Sequence, residues 1–181
     1  AFLSLDKKLA YARHYPSINW LSSYSGYMDL LKDWYEDNVA QDIWKLRGDL
    51  LKLLYEESKL LEIVKLVGED VLPDDQRLIL ETAKIIRVGF LQQNAYNDRD
   101  TYVPLEKQYK MLQIIEVFYI NAYKAAKAGV PISLLTNRDI FEELYKMKYN
   151  VPNDSFELID ELREKIIAYY GNLYEKYSAK K

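Results

Sequence analysis

The stretch Met28–Gly68, MDLLKDWYEDNVAQDIWKLRGDLLKLLYEESKLLEIVKLVG, decides how the rest of the chain is read. Leu46, Leu50, Leu54, Leu61 and Val64 recur in it at helical spacing and predict an apolar stripe on a long helix. The pattern breaks near Asp37–Ala40, loosens at Gly48, and stops at Gly68, a residue suited to a helix C-terminus. Downstream, "LPDDQ" predicts a new helix with Pro73 at its first position and Asp74 and Asp75 beside the positive end of its dipole. Ile79, Ala83, Ile86 and Phe90 give it one buried face, and the turn formers of "QQNAYNDRD" end it.

A further helix opens at Pro104, with Leu105, Tyr109, Leu112, Ile115, Tyr119 and Ala122 inward, and ends at Gly129-Val130-Pro131. Thr136 with Asp139, and Asp154 with Glu157, form capping-type pairs for two more. The last helix sets Phe156, Ile159, Leu162, Ile166, Tyr170, Leu173 and Tyr177 on one side. At the other end of the chain "AFLSLD", residues 1–6, reads as a short buried strand. Lys7 to Arg13 reads as a helical turn or two, ended by the restriction that Pro16 places on Tyr15. The fold class is therefore mainly α: a multi-helix bundle of about six helices, with residues 25–181 as the helical domain and residues 1–24 as a separate strand-and-turn segment.

Composition agrees. Six glycines and five prolines in 181 residues, beside 17 tyrosines, are too little turn chemistry for a β-sandwich or a parallel α/β domain. A net charge of −3 supplies no basic field, so nucleic acid is not an expected partner. The apolar runs are far shorter than a membrane span, no direct membrane insertion is expected, and no signal peptide is read at the start. Without cysteine there is no disulfide, thiol catalysis or thiolate-bound metal, and a cytoplasmic setting is compatible. No G-x-x-x-x-G-K-[ST], G-x-G-x-x-G or G-x-S-x-G occurs, and His14 is the sole histidine. No catalytic residue and no metal ligand set is assigned; His14 reads as a structural hydrogen-bonding group.

Two segments depart from ordinary amphipathic helix. "RHYPSINWLSSYSGY", Arg13–Tyr27, carries no charge from Tyr15 onward and mixes aromatic rings with hydrogen-bonding groups. "FLQQNAY", Phe90–Tyr96, ends a helix in amides, a small residue and a ring. Uncharged polar groups beside aromatic faces suit a neutral heteroaromatic ring such as adenine, although aromatic turn residues are more often satisfied core.

"RHYPSINWLSSYS", "LLEIVKLVGEDVLPDDQRLILETAKIIRVGFLQQNAY" and "DTYVPLEKQY" resemble, in order, the C-terminal part of the catalytic A subunit of archaeal A-type and V-type rotary ATPases. The likeness runs from Ala1 to about Gly129 and continues loosely beyond. It implies that the P-loop and catalytic carboxylate belong upstream, that residues 1–24 are the edge of a nucleotide-binding core, and that residues 25–181 are the C-terminal helical domain. By the same resemblance, and by similarity to the F-type β subunit, Tyr15 stacks on adenine while Gln93, Asn94, Ala95 and Tyr96 close the other side. The family pattern S-Y-S-L-Y stands here as Ser23-Tyr24-Ser25-Gly26-Tyr27. The implied ligand is ATP or ADP with Mg2+ in the intact subunit, with none held tightly by this stretch alone.

The resemblance further implies that Glu69, Asp70, Val71, Leu72, Pro73, Asp74 and Asp75 meet a basic central shaft; a solvated acidic turn is the alternative. The implied partners are B-type subunits in a hetero-hexameric ring and the central stalk. The implied location is the cytoplasmic, membrane-peripheral sector of an ion-translocating ATPase or ATP synthase. A helical module that binds neighbouring subunits, without nucleotide contact, is the alternative function.

Overall fold

A computed structural model describes residues 1–179. Among them nine α-helices are formed: α1 Lys7–Tyr11, α2 Met28–Asn38, α3 Ile43–Val67, α4 Asp74–Ile85, α5 Asp98–Thr101, α6 Leu105–Lys127, α7 Ile132–Leu135, α8 Arg138–Asn150 and α9 Glu157–Ser178. A 3-10 turn, Glu69–Val71, precedes α4, and a π-helical segment, Ile86–Leu91, extends it.

The Met28–Gly68 stretch splits into α2 and α3 at Val39–Asp42, and Gly48 leaves α3 uninterrupted. Gly68 ends α3 with φ of 86°, a region that costs a residue with a Cβ. Leu46, Leu50 and Leu54 line the core as the spacing predicts, but Leu61 is 36% exposed. Leu60 turns inward instead and packs in a small satellite cluster with Leu72 and Leu80. Glu57 also lies on the stripe, buried and paired with Arg87 at 2.9 Å. Burial pushes its carboxyl above the ordinary range and the Arg87 charge pulls it back.

Helix α6 corrects the expected face by a rotation. Ile115 and Ala122 are buried as expected, but Leu105 is exposed and Tyr109, Leu112 and Tyr119 are half-buried, while Met111, Ile114, Phe118 and Ala125 complete the core side. The helix is apolar on much of its circumference, and Lys107, on the true inner face, disguised that face as polar. Two capping assignments also change. Asn137, not Thr136, accepts from the Ile140 amide to open α8, and Phe156 precedes α9 with no side-chain cap. Pro73 sits one place before α4 rather than at its first position.

Helices α6 and α9 pack along their lengths, with Phe118 edge-on to Tyr170 and Phe141. The fully buried Tyr170 donates its hydroxyl to the Leu135 carbonyl at 2.5 Å, and desolvation drives its phenol far upward. Residues 1–6 do not form the buried strand expected: Phe2, Leu3 and Leu5 are exposed, Leu5 82% accessible, and Ser4 and Asp6 are half-buried. They form isolated antiparallel bridges, Phe2 to Tyr24 and Leu5 to Ile18, so the segment pairs within its own chain.

The π-helical segment runs directly against α8. A Cβ on Gly89 would stand 2.7 Å from the Leu144 carbonyl oxygen, and backbone cannot swing aside as a flexible side chain can. Gly89→Ala is expected to lower stability by about 1–3 kcal/mol, read as a shifted urea midpoint at constant m-value.

Candidate functional site

The aromatic turn begins where α1 stops. Arg13 enters the left-handed region at φ 54°, and the His14 amide donates back to Leu9 at 2.9 Å. This reversal turns the His14 side chain into the protein, where its Nε2 lies 3.0 Å from the Arg87 carbonyl. A carbonyl only accepts, so Nε2 carries the proton. His14 is thus a pin between the turn and the π-helical segment. The Trp20 ring lies tilted against it at 5.6 Å. The Tyr15–Pro16 peptide is cis.

The second segment meets this turn directly. The Gln93 amide donates to the Tyr15 carbonyl at 2.7 Å, and Gln92 Nε2 reaches the Arg13 carbonyl at 3.3 Å. One backbone bond and one side-chain bond, the latter between residues 79 positions apart, thereby stitch the two segments together. Tyr15 stays 56% exposed and Tyr96 99% exposed, so neither ring is used as core. Asn94 folds an Asx turn, its Oδ1 accepting from the Tyr96 amide at 3.0 Å, and Thr101 Oγ1 donates to the Ala95 carbonyl at 2.8 Å. Behind the contact Pro16, Ile18, Trp20, Phe90, Gln93 and Asp100 line a cleft of about 290 Å³.

Beneath the Gln92–Thr101 loop lies a layer that sequence reasoning missed. Lys148 on α8, 1% exposed, donates to the Val88 carbonyl at 2.7 Å and to the Gln92 carbonyl. Lys107 on α6, fully buried, lies within 3.1 Å of the Arg99, Lys148 and Val151 carbonyls and of Asn153 Oδ1. Arg99 adds hydrogen bonds to the Tyr149 and Asn150 carbonyls at 3.2 and 2.7 Å. The C-terminal carbonyls of two helices are so closed by cations from elsewhere in the chain. Desolvation lowers both lysines from their ordinary value, while the charge of buried Asp100 opposes it. Asp100 in turn accepts from the Asn94 amide at 2.6 Å. The readable signal was a lysine at helical spacing from apolar residues: Lys107 before Met111, and Lys148 after Leu144.

The acidic turn divides into two parts. Glu69, Asp70 and Val71 stand outward, with Val71 66% exposed and both carboxylates near Arg77 at 4.0 and 3.9 Å. Leu72 is turned into the cluster with Leu60 and Leu80, and Pro73 leads into α4. Asp74 accepts from the Ile132 amide at 3.2 Å, and Asp75 pairs with Lys127 at 2.6 Å. These two aspartates therefore tie α4 to the start of α7 and the end of α6. The exposed residues of the turn are Glu69, Asp70, Val71 and Pro73. Among the described residues no cluster of His, Cys, Asp or Glu could hold a metal, and no helix is long and apolar enough to cross a membrane.

Residues 32–136 match a family described as the C-terminal domain of V and A type ATP synthase. The chain is 65% identical over 177 residues to V-type ATP synthase alpha chain 2 of Clostridium tetani, covering 98% of this chain and 30% of that protein. It is 50% identical over 176 residues to the V-type ATP synthase alpha chain of Halothermothrix orenii, covering 97% and 30%. Against the V-type ATP synthase alpha chain of Thermoanaerobacter sp. the identity is 47% over 165 residues, covering 91% and 28%. The chain thus spans under a third of the length of these curated relatives.

Lys148→Met keeps the stem and removes the donor from two helix-end carbonyls. Stability should fall by about 3 kcal/mol, and exchange of the Gln93 amide should quicken; unchanged exchange would separate Lys148 from the loop. The Lys127 hydrogen bond holds the Asp75 carboxyl below its ordinary value. The stabilisation is then complete above the ordinary carboxylate range and is lost as pH falls through the lowered value. Asp75→Asn should be less stable than the parent at neutral pH, with the gap closing below about pH 4 in urea titrations.

Proposed function

The chain belongs to the family of C-terminal domains of V- and A-type ATP synthases, and on that premise we propose that it is the helical lever of a catalytic subunit, walling the adenine side of its nucleotide site. The observation that carries this reading is the 2.7 Å hydrogen bond from the Gln93 amide to the Tyr15 carbonyl, which joins two uncharged, ring-bearing reversals while their rings stay open to solvent. Tyr15 stacks on the base, and Gln93, Asn94, Ala95 and Tyr96 approach it from the other side. Phosphates and Mg2+ are left to the upstream core, so this chain positions nucleotide and performs no bond-making of its own.

Closure on nucleotide would pull the Tyr15 turn. Through Gln93 and the His14–Arg87 contact, that pull enters the π-helical extension of α4. The opposite end of α4 carries the acidic turn, where Glu69, Asp70 and Val71 face outward for the rotor while Asp74 and Asp75 hold the turn to the bundle. A rigid helix loaded at both ends converts differential contact with nucleotide into displacement at the rotor. The ring of B-type subunits and the ion-translocating sector are the partners this role calls for. Leu30 and Trp34 on α2 are 78% and 48% exposed, which favours contact with a neighbour in that ring as a second role for the helix.

In the intact subunit, Tyr15→Ala together with Tyr96→Ala should weaken ATP binding about tenfold or more, since each stacked contact is worth about 1–3 kcal/mol. The circular dichroism spectrum should not change. Unaltered nucleotide affinity in equilibrium binding would leave only the role of binding neighbouring subunits.

A further inference from the structure

Helix α2 roofs a cleft set beside the π-helical segment, whose Ile86, Phe90 and Leu91 form part of its lining. The cleft holds about 420 Å³, within the usual range for small-ligand sites, and its floor is core: Leu50, Leu54 and Ile86 are each less than 5% exposed. Its walls are aromatic, with Trp20, Tyr35 and Trp44 contributing rings. One charged residue lines it, Arg47. Among the described residues that guanidinium has no ion pair or hydrogen bond, whereas Glu57, the charged residue that α3 turns inward, is met by a counter-charge.

The roof is lightly held. No residue of α2 is fully buried. Its ties to α3 are an edge contact between Tyr35 and Trp44 at 5.4 Å and the Trp44 indole N–H donating to the Lys32 carbonyl at 3.2 Å. A helix fastened at one aromatic corner can lift without disturbing the α3–α4–α6 core beneath it.

We propose that this cleft binds a small amphiphilic anion: an aromatic or aliphatic body seated on Leu50, Leu54 and Ile86 between the tryptophans, with an acidic head paired to Arg47. Apolar walls supply affinity without direction, and the single cation at the rim selects the sign of the ligand's charge and fixes its orientation. A neutral apolar molecule would leave Arg47 as it stands. A cationic one would be repelled.

The probe is 8-anilinonaphthalene-1-sulfonate, titrated into the 181-residue chain, against N-phenyl-1-naphthylamine, which has the same rings without the sulfonate. Binding should saturate at one site. In an amide spectrum the three indole N–H signals report position, because Trp20 and Trp44 line the cleft and Trp34 does not. The first two should shift more than the third. Arg47→Ala, an exposed change that leaves the core alone, should weaken the sulfonate probe about tenfold and leave the neutral one unchanged. Leu51→Trp, which fills the cleft, should abolish both. Non-saturating binding, dominant shifts at Trp34, equal affinity for the two probes, or indifference to Arg47→Ala would each overturn the proposal.

Discussion

Two ammonium groups with almost no access to water hold the helix ends of this bundle in register. Lys107 reaches from α6 to the last carbonyls of α8, and Lys148 reaches from α8 to the last carbonyls of the α4 extension. Each helix terminus leaves carbonyls without intrahelical partners, and inside a protein those groups need donors. A buried cation also needs acceptors, because its own desolvation is costly. The two deficits cancel only when three helices meet at one place, so the same contacts that satisfy the termini fix where α4, α6 and α8 cross.

The exposed loop inherits that geometry. The Gln92 carbonyl is bound by Lys148, and the next residue, Gln93, gives its amide to Tyr15. Asn94 is held by Asp100, whose charge lies close to both lysines. Tyr15 and Tyr96 can therefore remain at the surface without being loose, since their backbone is anchored one layer below. A rigid backbone carrying exposed rings suits recognition of a flat ligand, for which pre-ordering lowers the cost of binding. The His14 contact with Arg87, and the Arg87 pair with Glu57, extend the same anchoring to α3.

The acidic turn follows a similar division of labour. Charge that could have been read as one surface is split by its partners: Asp74 and Asp75 tie α4 to neighbouring helices, while Glu69 and Asp70 remain outward. A run of carboxylates in a sequence does not reveal which of them faces a partner and which caps a neighbouring helix. That depends on where the end of α6 and the start of α7 arrive, and they arrive from more than fifty residues away.

Local rules were enough for the helical class, the helix end at Gly68, the helix start at the Pro104–Leu105 step, the inward faces of α3 and α9, and the family resemblance. Each rests on spacing or on a residue whose backbone preference acts within a few positions. The rotation of α6, the exchange of Leu61 for Leu60, the exposure of Phe2, Leu3 and Leu5 and the use of Asn137 as a cap were fixed by tertiary contact. A helix apolar on most sides has no unique inner face until its neighbours choose one. A lysine reads as surface until carbonyls from two other helices converge on it. Sequence spacing determines what one element can bury; only the packed structure decides which polar groups it must bury with it, because their partners come from distant parts of the chain.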